Sequence, residues 1–225
     1  MEITNTVASR DAMESIVSVP VVPFKPYYKD ERCTIYNADC RQVLPFLPKV
    51  DLLLTDPPYG HGDKWSGGTW AANPMYEAAF KWDAEKVRSW LVDWLIESAE
   101  TSIIWGGNYY NLPGSRCWLS WEKTSRMPTM ADFELAWTNM DKPSKAFVTD
   151  RNPDGKRVHP TQKPLGLLKW CLGFVPAAET VLDPYMGSGT TLVACKAEGR
   201  QAIGIDISEQ YCEAAANRLA QGTLF

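Results

Sequence analysis

The clearest indication of the fold comes from the segment Val181-Leu182-Asp183-Pro184-Tyr185-Met186-Gly187-Ser188-Gly189-Thr190-Thr191. Its apolar start predicts a short buried strand, and its end predicts a helix over 190–198. The glycines between them let the backbone approach a ligand closely, beside a helix N-terminus that favours negative charge. A nucleotide phosphate is one such ligand. However, the G-x-x-x-x-G-K-[ST] loop is absent, and Leu192 stands where a dinucleotide loop has its third glycine.

A second strand with an acidic end follows the glycine loop. Gln201-Ala202-Ile203-Gly204-Ile205-Asp206 predicts a strand over 201–206. A carboxylate about twenty residues beyond such a loop captures ribose hydroxyls in nucleoside-binding folds. The alternative for Asp206 is a structural role at the start of the last helix, which we expect Ser208 to cap and which runs through Leu219.

Upstream, Asp56-Pro57-Pro58-Tyr59 directly follows the apolar run at 50–55. Ligands of open α/β sheets bind at the carboxyl ends of strands, so this motif brings an acid, a rigid turn and an aromatic ring to a crevice. The exocyclic amine of a base is a poor nucleophile until hydrogen-bond acceptors draw its nitrogen toward tetrahedral geometry. Asp56 and a carbonyl of the proline pair can accept its N–H groups, and Tyr59 can stack on the base. The alternative is a strand-ending turn with a structural acid.

From Cys33 onward, short apolar runs alternate with amphipathic stretches, which is typical of an α/β sheet with crossover helices. Residues 1–30 have no such period, so we expect an N-terminal extension followed by a single domain over 31–225. The predicted strands cover 33–37, 50–55, 102–106, 117–122, 133–139, 180–183 and 201–206, and the predicted helices cover 84–100, 165–174, 190–198 and 209–219.

The length, composition and cysteine content of the chain predict one domain in a reducing compartment. A chain of 225 residues with 45% apolar content can bury one core. The six cysteines form no C-x-x-C pair and lie in apolar stretches, which predicts free thiols, and with two histidines they indicate no metal site. No apolar run approaches the roughly 18 residues of a membrane span, and the start lacks a basic signal region. We therefore expect a cytoplasmic protein that does not enter a membrane.

The net charge of −4 argues mildly against a polyanionic partner, but the basic residues are unevenly distributed. The segment 142–163 carries six basic residues against only two acidic ones. This basic strip either follows a phosphate backbone or is an ordinary solvated loop. The basic residues are Lys142, Lys145, Arg151, Lys156, Arg157 and Lys163, and the acidic residues are Asp150 and Asp154.

Three motifs together resemble one family. The D-P-P-Y motif at 56–59, the D-P-Y-M-G-S-G-T-T motif at 183–191 and the H-P-T-Q-K-P motif at 159–164 are similar to the β group of DNA amino-methyltransferases from restriction-modification systems and phages. The resemblance covers roughly 33–220. It implies a Rossmann-like S-adenosylmethionine-dependent methyltransferase fold, circularly permuted, with a seven-stranded, mostly parallel sheet and helices on both faces. Since only one helix follows Asp206, the third strand of the cofactor half has to be the strand at 33–37.

The resemblance also implies a role for each matching residue. Asp39 would accept a hydrogen bond from the adenine amine of the cofactor, and Asp206 would bind its ribose. Thr161 and Lys163 would reach its carboxylate. The predicted catalytic residues are Asp56, Pro57, Pro58 and Tyr59; the predicted cofactor-binding residues are Asp39, Thr161, Lys163, Asp183, Pro184, Gly187, Ser188, Gly189, Thr190 and Asp206.

The expected reaction is direct methyl transfer to adenine in double-stranded DNA, because similar enzymes that act on cytosine more often carry serine where Asp56 stands. The alternatives are a cytosine-N4 methyltransferase, an inactive DNA-binding homologue, an RNA or protein-glutamine methyltransferase, and a nucleotide-dependent dehydrogenase. Target recognition is expected at about 139–158, together with the loop at 124–132, and so small a region is compatible with a homodimer. Asn108 and the loop at 61–82 are expected near the target base.

Overall fold

The structure is a computed structural model that describes residues 22–61, 83–128, 130–155, 159 and 161–221. One mixed sheet of nine strands runs through these residues, in the order β1-β2-β9-β8-β3-β4-β6-β5-β7. The strands are β1 (Tyr28–Lys29), β2 (Cys33–Asn37), β3 (Val50–Thr55), β4 (Ala99–Trp105), β5 (Trp118–Lys123), β6 (Phe133–Thr138), β7 (Lys145–Thr149), β8 (Thr180–Asp183) and β9 (Gln201–Asp206).

The sheet is mostly parallel, as predicted. Strands β2, β9, β8, β3 and β4 run parallel to one another, so their carboxyl ends meet at one edge. Strand β1 is antiparallel to β2, and β6 is antiparallel to both β4 and β5. The amino end of β6 and the carboxyl end of β5 therefore lie at the same edge as the carboxyl ends of the parallel strands.

Helices cover both faces of the sheet. In the central strand β3, Leu52 and Leu54 belong to the core cluster formed with the helices at 165–172, 190–197 and 209–220, whereas Leu53 belongs to the cluster formed with the helices at 40–43 and 89–97. Successive side chains of a strand point to opposite faces, and the apolar run of β3 is buried on both. The helices are α1 (Cys40–Val43), α2 (Ser89–Glu97), α3 (Leu165–Leu172), α4 (Thr190–Ala197) and α5 (Glu209–Ala220), with 3₁₀ turns at Leu44–Phe46 and Gly107–Tyr109.

All seven predicted strands are present, but the predicted number of strands is wrong. Strand β7 pairs with β5 at the edge of the sheet, where most of its side chains are exposed, and its apolar run of three residues at 146–148 is too short to predict a strand. Strand β1 pairs with β2 and lies inside the segment predicted to be an extension. The predicted boundary at residue 30 therefore cuts through the sheet, while residues 1–21 lie outside the described part.

Helix α2 is shorter than the predicted helix over 84–100. Its start is displaced to Ser89 because residues 83–88 pack against the loop that follows β3, where a Cβ built on Gly60 would lie 2.9 Å from the Lys86 backbone nitrogen. At the other end, Ala99 pairs with Val50, which assigns the residues after Ser98 to β4.

Two parallel pairings bring the predicted motifs together. Strand β2 pairs in parallel with β9, so the strand at 33–37 does lie beside the strand that ends in Asp206. Strand β3 pairs in parallel with β8, which places the residues that follow each of them next to one another.

The six cysteines are all free and buried, as expected for thiols that act as small apolar side chains. Within the described ranges, no helix has the length and apolar character to cross a membrane, and no cluster of histidine, cysteine and acidic residues could hold a metal ion.

Candidate active site

A cavity of about 470 Å³ opens at the carboxyl ends of the parallel strands. Asp56 follows β3, Asp183 ends β8 and Asp206 ends β9, so three acids converge there. Most of the predicted site residues line this cavity, namely Asp39, Asp56, Pro58, Thr161, Lys163, Asp183, Pro184, Gly187, Ser188, Thr190 and Asp206. The other three, Pro57, Tyr59 and Gly189, are not among its lining residues.

The two glycines of the loop after β8 have different roles. Both have positive φ, 50° at Gly187 and 74° at Gly189, which favours glycine. Gly187 lines the cavity, and its backbone N–H donates to Asp206 Oδ2 over 3.0 Å. At Gly189 an added Cβ would lie 2.6 Å from Ala215 Cβ, so this glycine allows α4 and α5 to pack closely. Gly189 was predicted to line the cofactor site, but it packs against α5 and is not among the lining residues of the cavity.

The acids at the ends of β9 and β2 are held by the backbone. Asp206 accepts N–H bonds from Gly187 and from Ser208, the latter over 2.8 Å, and burial raises the pKa of its carboxyl to about 6. Ser208 occupies the N-cap position of α5 as predicted, but its side chain makes no capping hydrogen bond. Asp39 caps α1 by accepting from the Arg41 backbone N–H, and its carboxylate also pairs with the Arg41 guanidinium.

Asp183 is the most enclosed of these acids, with 4% of its surface exposed. It accepts a hydrogen bond from the Thr55 hydroxyl over 2.9 Å and one from the Tyr185 backbone N–H over 3.2 Å. Burial raises the pKa of its carboxyl to about 7, despite these hydrogen bonds. The folded chain thus keeps a proton on Asp183 at pH values where the unfolded chain has released it.

This difference predicts a pH-dependent contribution to stability. Between about pH 4 and about pH 7 the unfolded chain releases the Asp183 proton first, so the unfolding free energy falls as pH rises. Asp183→Asn cannot titrate. The stability of the wild type relative to this variant should therefore decline from about pH 4 to about pH 7, by as much as about 4 kcal/mol. Urea unfolding of the cofactor-free proteins measures it, with the exposed Asp93→Asn as control. Parallel pH curves for the wild type and Asp183→Asn would contradict the assignment.

The loop after β3 is fixed from several sides. The Tyr59 hydroxyl donates to Asp56 Oδ1, and the Tyr110 hydroxyl donates to the Pro58 carbonyl. The buried Asp83 carboxylate accepts three successive backbone N–H groups, from Tyr59, Gly60 and His61, over 2.7, 3.0 and 3.3 Å. Site prediction missed both Asp83 and Tyr110, because they come from separate segments that only the fold brings to the loop.

The Tyr59 ring faces a second, smaller cavity of about 210 Å³. The ring lies so close to Gly106 that a Cβ built there would be 1.9 Å from Tyr59 Cε1. It also stacks on Tyr109, with ring centroids 4.8 Å apart and planes at 30°. Asn108 lines this cavity, as do Phe133 and Glu134 of β6. Of the loop expected near the target base, His61 lies by Tyr59, with ring centroids 6.0 Å apart, and residues 62–82 are outside the described part.

Lys163 differs most from its predicted role. Its ammonium donates to Asp56 Oδ2 and lies 3.0 Å from Glu134 Oε2, whereas the resemblance implies a contact with the cofactor's carboxylate. Burial alone would lower the Lys163 pKa, but the two carboxylates outweigh it and hold the pKa above its ordinary value. This lysine is therefore engaged by two acids of the chain itself.

His159 is a further site residue, from the segment 159–164 that drew attention in the sequence. Its Nδ1 accepts from the Thr161 backbone N–H over 3.3 Å, and its ring lies against Tyr211 with centroids 4.4 Å apart. Burial, assisted by the Lys163 charge, lowers its pKa to about 3. The ring is thus neutral at physiological pH and forms an uncharged wall beside Gly187.

The basic strip at 142–163 is largely engaged by the protein. Lys142 donates to the Phe174 carbonyl over 2.6 Å, and Arg151 donates to the Ser125 and Ala131 carbonyls over 2.9 and 3.0 Å. Lys163 is buried in the site and Lys145 is exposed on β7, while Lys156 and Arg157 lie outside the described residues. The strip is therefore not one continuous row of free cations.

Comparison with known sequences identifies relatives over most of the chain. A family model described as DNA methylase, for N6 and N4 methyltransferases, matches residues 100–217, about half of the chain. The putative methylase YubD of Escherichia coli (strain K12) is 31% identical, over 82% of this chain and 88% of its own length. The type II methyltransferase M2.LlaDCHI of Lactococcus lactis subsp. cremoris is 26% identical, over 91% of this chain and 96% of its own length.

Solved methyltransferase structures share the fold. PvuII DNA methyltransferase, described as cytosine-N4-specific, has a TM-score of 0.61 at 14% identity and covers 91% of this chain and 92% of its own. The M1.HpyAVI–SAM complex has a TM-score of 0.56 at 22% identity and covers 83% of this chain and 99% of its own. The predicted α/β fold of S-adenosylmethionine-dependent methyltransferases is thus confirmed, and the chain belongs to the DNA methylase family of restriction-modification-type amino-methyltransferases.

Proposed function

We propose that this chain transfers a methyl group from S-adenosylmethionine to the exocyclic amino group of adenine in double-stranded DNA. One observation carries the proposal: Asp56 and the Gly187 loop open onto the same cavity, after adjacent strands. An acceptor for an amine and a cradle for a cofactor lie within reach of one another. Membership of the DNA methylase family supports the same reaction class.

The residues around the larger cavity fit S-adenosylmethionine. A volume of about 470 Å³ suits a small-molecule ligand. Each Asp206 oxygen accepts one backbone N–H, which leaves a lone pair on each for the ribose hydroxyls. Asp39, which lines the same cavity, would accept a hydrogen bond from the adenine amine of the cofactor. The methionine part would contact Thr161, Asp183, Pro184, Gly187, Ser188 and Thr190. M1.HpyAVI, which shares the fold, was solved in complex with SAM.

When bound, S-adenosylmethionine supplies an electrophilic methyl group. The Asp56 carboxylate would accept one N–H of the target amine and so direct the nitrogen lone pair out of the ring plane. A second acceptor comes from the proline pair. Because Tyr110 already donates to the Pro58 carbonyl, the Pro57 carbonyl is the better candidate. After the transfer, the spare amine proton leaves through Asp56 or to solvent. This role for Asp56 needs no covalent nucleophile from the protein.

The target base would leave the duplex and stack near Tyr59. Stacking on an aromatic side chain is worth roughly 1–3 kcal/mol per base, comparable with the cost of flipping one. The smaller cavity beside Tyr59 is large enough for a single base and brings Asn108 to its edge. Recognition of neighbouring bases would rest on about 139–158, which includes the exposed edge strand β7, and on the loop at 124–132.

Adenine is proposed over cytosine because Asp56 stands where similar cytosine enzymes more often have serine. Cytosine-N4 methylation is the second candidate, since the family model covers both amine chemistries. The proposal extends to a role in a restriction-modification system, in the cytoplasm of a bacterium or of a phage-infected cell, and similarity to a type II methyltransferase supports it. Because the recognition region at about 139–158 is short, we also propose a homodimer, in which a second subunit would add to the DNA-recognition surface.

Product analysis tests the proposal. Unmethylated DNA is incubated with the protein and methyl-labelled S-adenosylmethionine, digested to nucleosides and resolved by mass. We expect label in N6-methyladenine. Label in N4-methylcytosine would overturn the adenine assignment within the same family. Transfer only to RNA or protein in parallel reactions, or to no acceptor, would overturn the proposed function itself.

A further inference from the structure

Four charged side chains form a chain of contacts that starts at the wall of the larger cavity, which Asp56 and Lys163 line. Lys163 donates to Asp56 and lies 3.0 Å from Glu134 Oε2, and Glu134 Oε1 accepts from Lys123 over 2.5 Å. Two cations and two anions thus alternate over three contacts. The network spans four parts of the fold: the loop after β3, the segment before α3, the start of β6 and the end of β5.

The four charged side chains are largely buried, so each depends on its partner to compensate its charge. The side chains of Lys163 and Lys123 are only 7% and 5% exposed, and those of Asp56 and Glu134 are 22% and 26% exposed. Charges withdrawn from water persist only when they are paired, and removing one partner leaves the other uncompensated. Lys163 is the one lysine among the described residues that touches the proposed acceptor Asp56.

We propose that Lys163 is a positioning residue for methyl transfer: anchored by Glu134, its ammonium holds the Asp56 carboxylate charged and oriented toward the target amine. The inference rests on the proposed function of Asp56 as amine acceptor. In this proposal Lys163 contacts Asp56, the acid that would engage the substrate, and not the carboxylate of the cofactor. Glu134 also lines the smaller cavity, so the network links the two cavities through their shared wall.

The charges around Asp56 determine in which direction its pKa should shift when a neighbour is neutralised. Burial raises the pKa of the Asp56 carboxyl, Lys163 opposes that shift, and Glu134 adds to it. Neutralising Lys163 should therefore raise the Asp56 pKa, and neutralising Glu134 should lower it. The other titratable or charged groups that act on Asp56 or Lys163 are Tyr59, Tyr110, Lys123, His159, Cys171 and Asp183.

The experiment follows the Asp56 carboxyl by carbon-13 NMR in ligand-free protein with labelled aspartate, the signal being assigned by its loss in Asp56→Asn. In Lys163→Met we expect the titration midpoint to rise by about 1–3 pH units, the effect of losing an adjacent opposite charge. In Glu134→Gln we expect it to fall. Lys163→Arg should restore the wild-type midpoint, and Lys49→Met, which breaks an exposed pair with Glu100, should leave it unchanged.

Calorimetry with S-adenosylmethionine completes the test. We expect Lys163→Met to bind the cofactor within about threefold of wild type, while its single-turnover transfer rate falls and its acid limb moves to higher pH. An unchanged Asp56 midpoint in Lys163→Met, shifts of the same sign in Lys163→Met and Glu134→Gln, or a loss of cofactor affinity with full transfer at saturation would overturn the inference. Because the NMR titration needs no activity, it remains decisive even if the wild type methylates no DNA.

Discussion

Asp56→Asn is expected to slow methyl transfer by roughly 10²–10³-fold while S-adenosylmethionine binds with near wild-type affinity. The substitution keeps the shape of the side chain but replaces a charged acceptor oxygen with an amide N–H₂, which cannot accept from the target amine. The amide oxygen can still accept from Lys163, which also keeps Glu134 as a partner, so the fold should persist. Single-turnover transfer to DNA and calorimetry with the cofactor give the two quantities separately.

The control for this prediction is Glu100→Gln. Glu100 also pairs with a cation, Lys49, but its side chain is 68% exposed, and it lies at the amino end of β4, opposite the edge where the cavity opens. This variant should transfer methyl groups at the wild-type rate. If Asp56→Asn kept the same rate as Glu100→Gln, Asp56 would not be the amine acceptor.

Gly106→Ala is expected to lower the rate of methyl transfer by roughly 10²-fold. A displacement of about 1 Å at a reacting site can reduce a rate by that factor. Gly106 has φ 67°, and its added Cβ would fall inside the Tyr59 ring, 1.9 Å from Cε1. The ring would have to move, and its hydroxyl would leave Asp56. Steady-state kinetics with DNA, together with tyrosine fluorescence or NMR of Tyr59, would follow the change.

Gly199→Ala is the matched control for Gly106→Ala. Gly199 also has positive φ, 75°, but nothing lies within 4 Å of its added Cβ. Both variants therefore share the backbone strain, of order 1–3 kcal/mol, and only one displaces Tyr59. Equal activity in the two variants would show that the packing of Tyr59 on Gly106 does not matter for transfer.

The parallel half of the fold could be predicted from the sequence because its strands are buried on both faces. Strands β2, β3, β8 and β9 have the predicted bounds, and each is an apolar run that ends at an acid or a turn. The place of β2 beside β9 followed from the motif order in which the chain resembles the β group. The same reasoning brought eleven of the fourteen predicted site residues to one cavity.

The antiparallel half and the polar network could not be predicted in this way. Strand β7 is a mostly exposed edge strand, so its side chains carry no periodic pattern. Glu134 reaches Lys163 only because β6 runs antiparallel to β4 and brings its amino end to the active edge. Such contacts depend on strand direction and register between distant segments, and local sequence patterns do not encode either.

A crystal structure of the protein with S-adenosylmethionine would show directly whether the cofactor's methyl group faces Asp56. We predict the cofactor in the larger cavity, its ribose at Asp206 and its methyl group directed at Asp56, with room for an amine nitrogen about 3–3.5 Å from the methyl carbon. A cofactor bound in the smaller cavity beside Tyr59, or a methyl group turned away from Asp56, would contradict it.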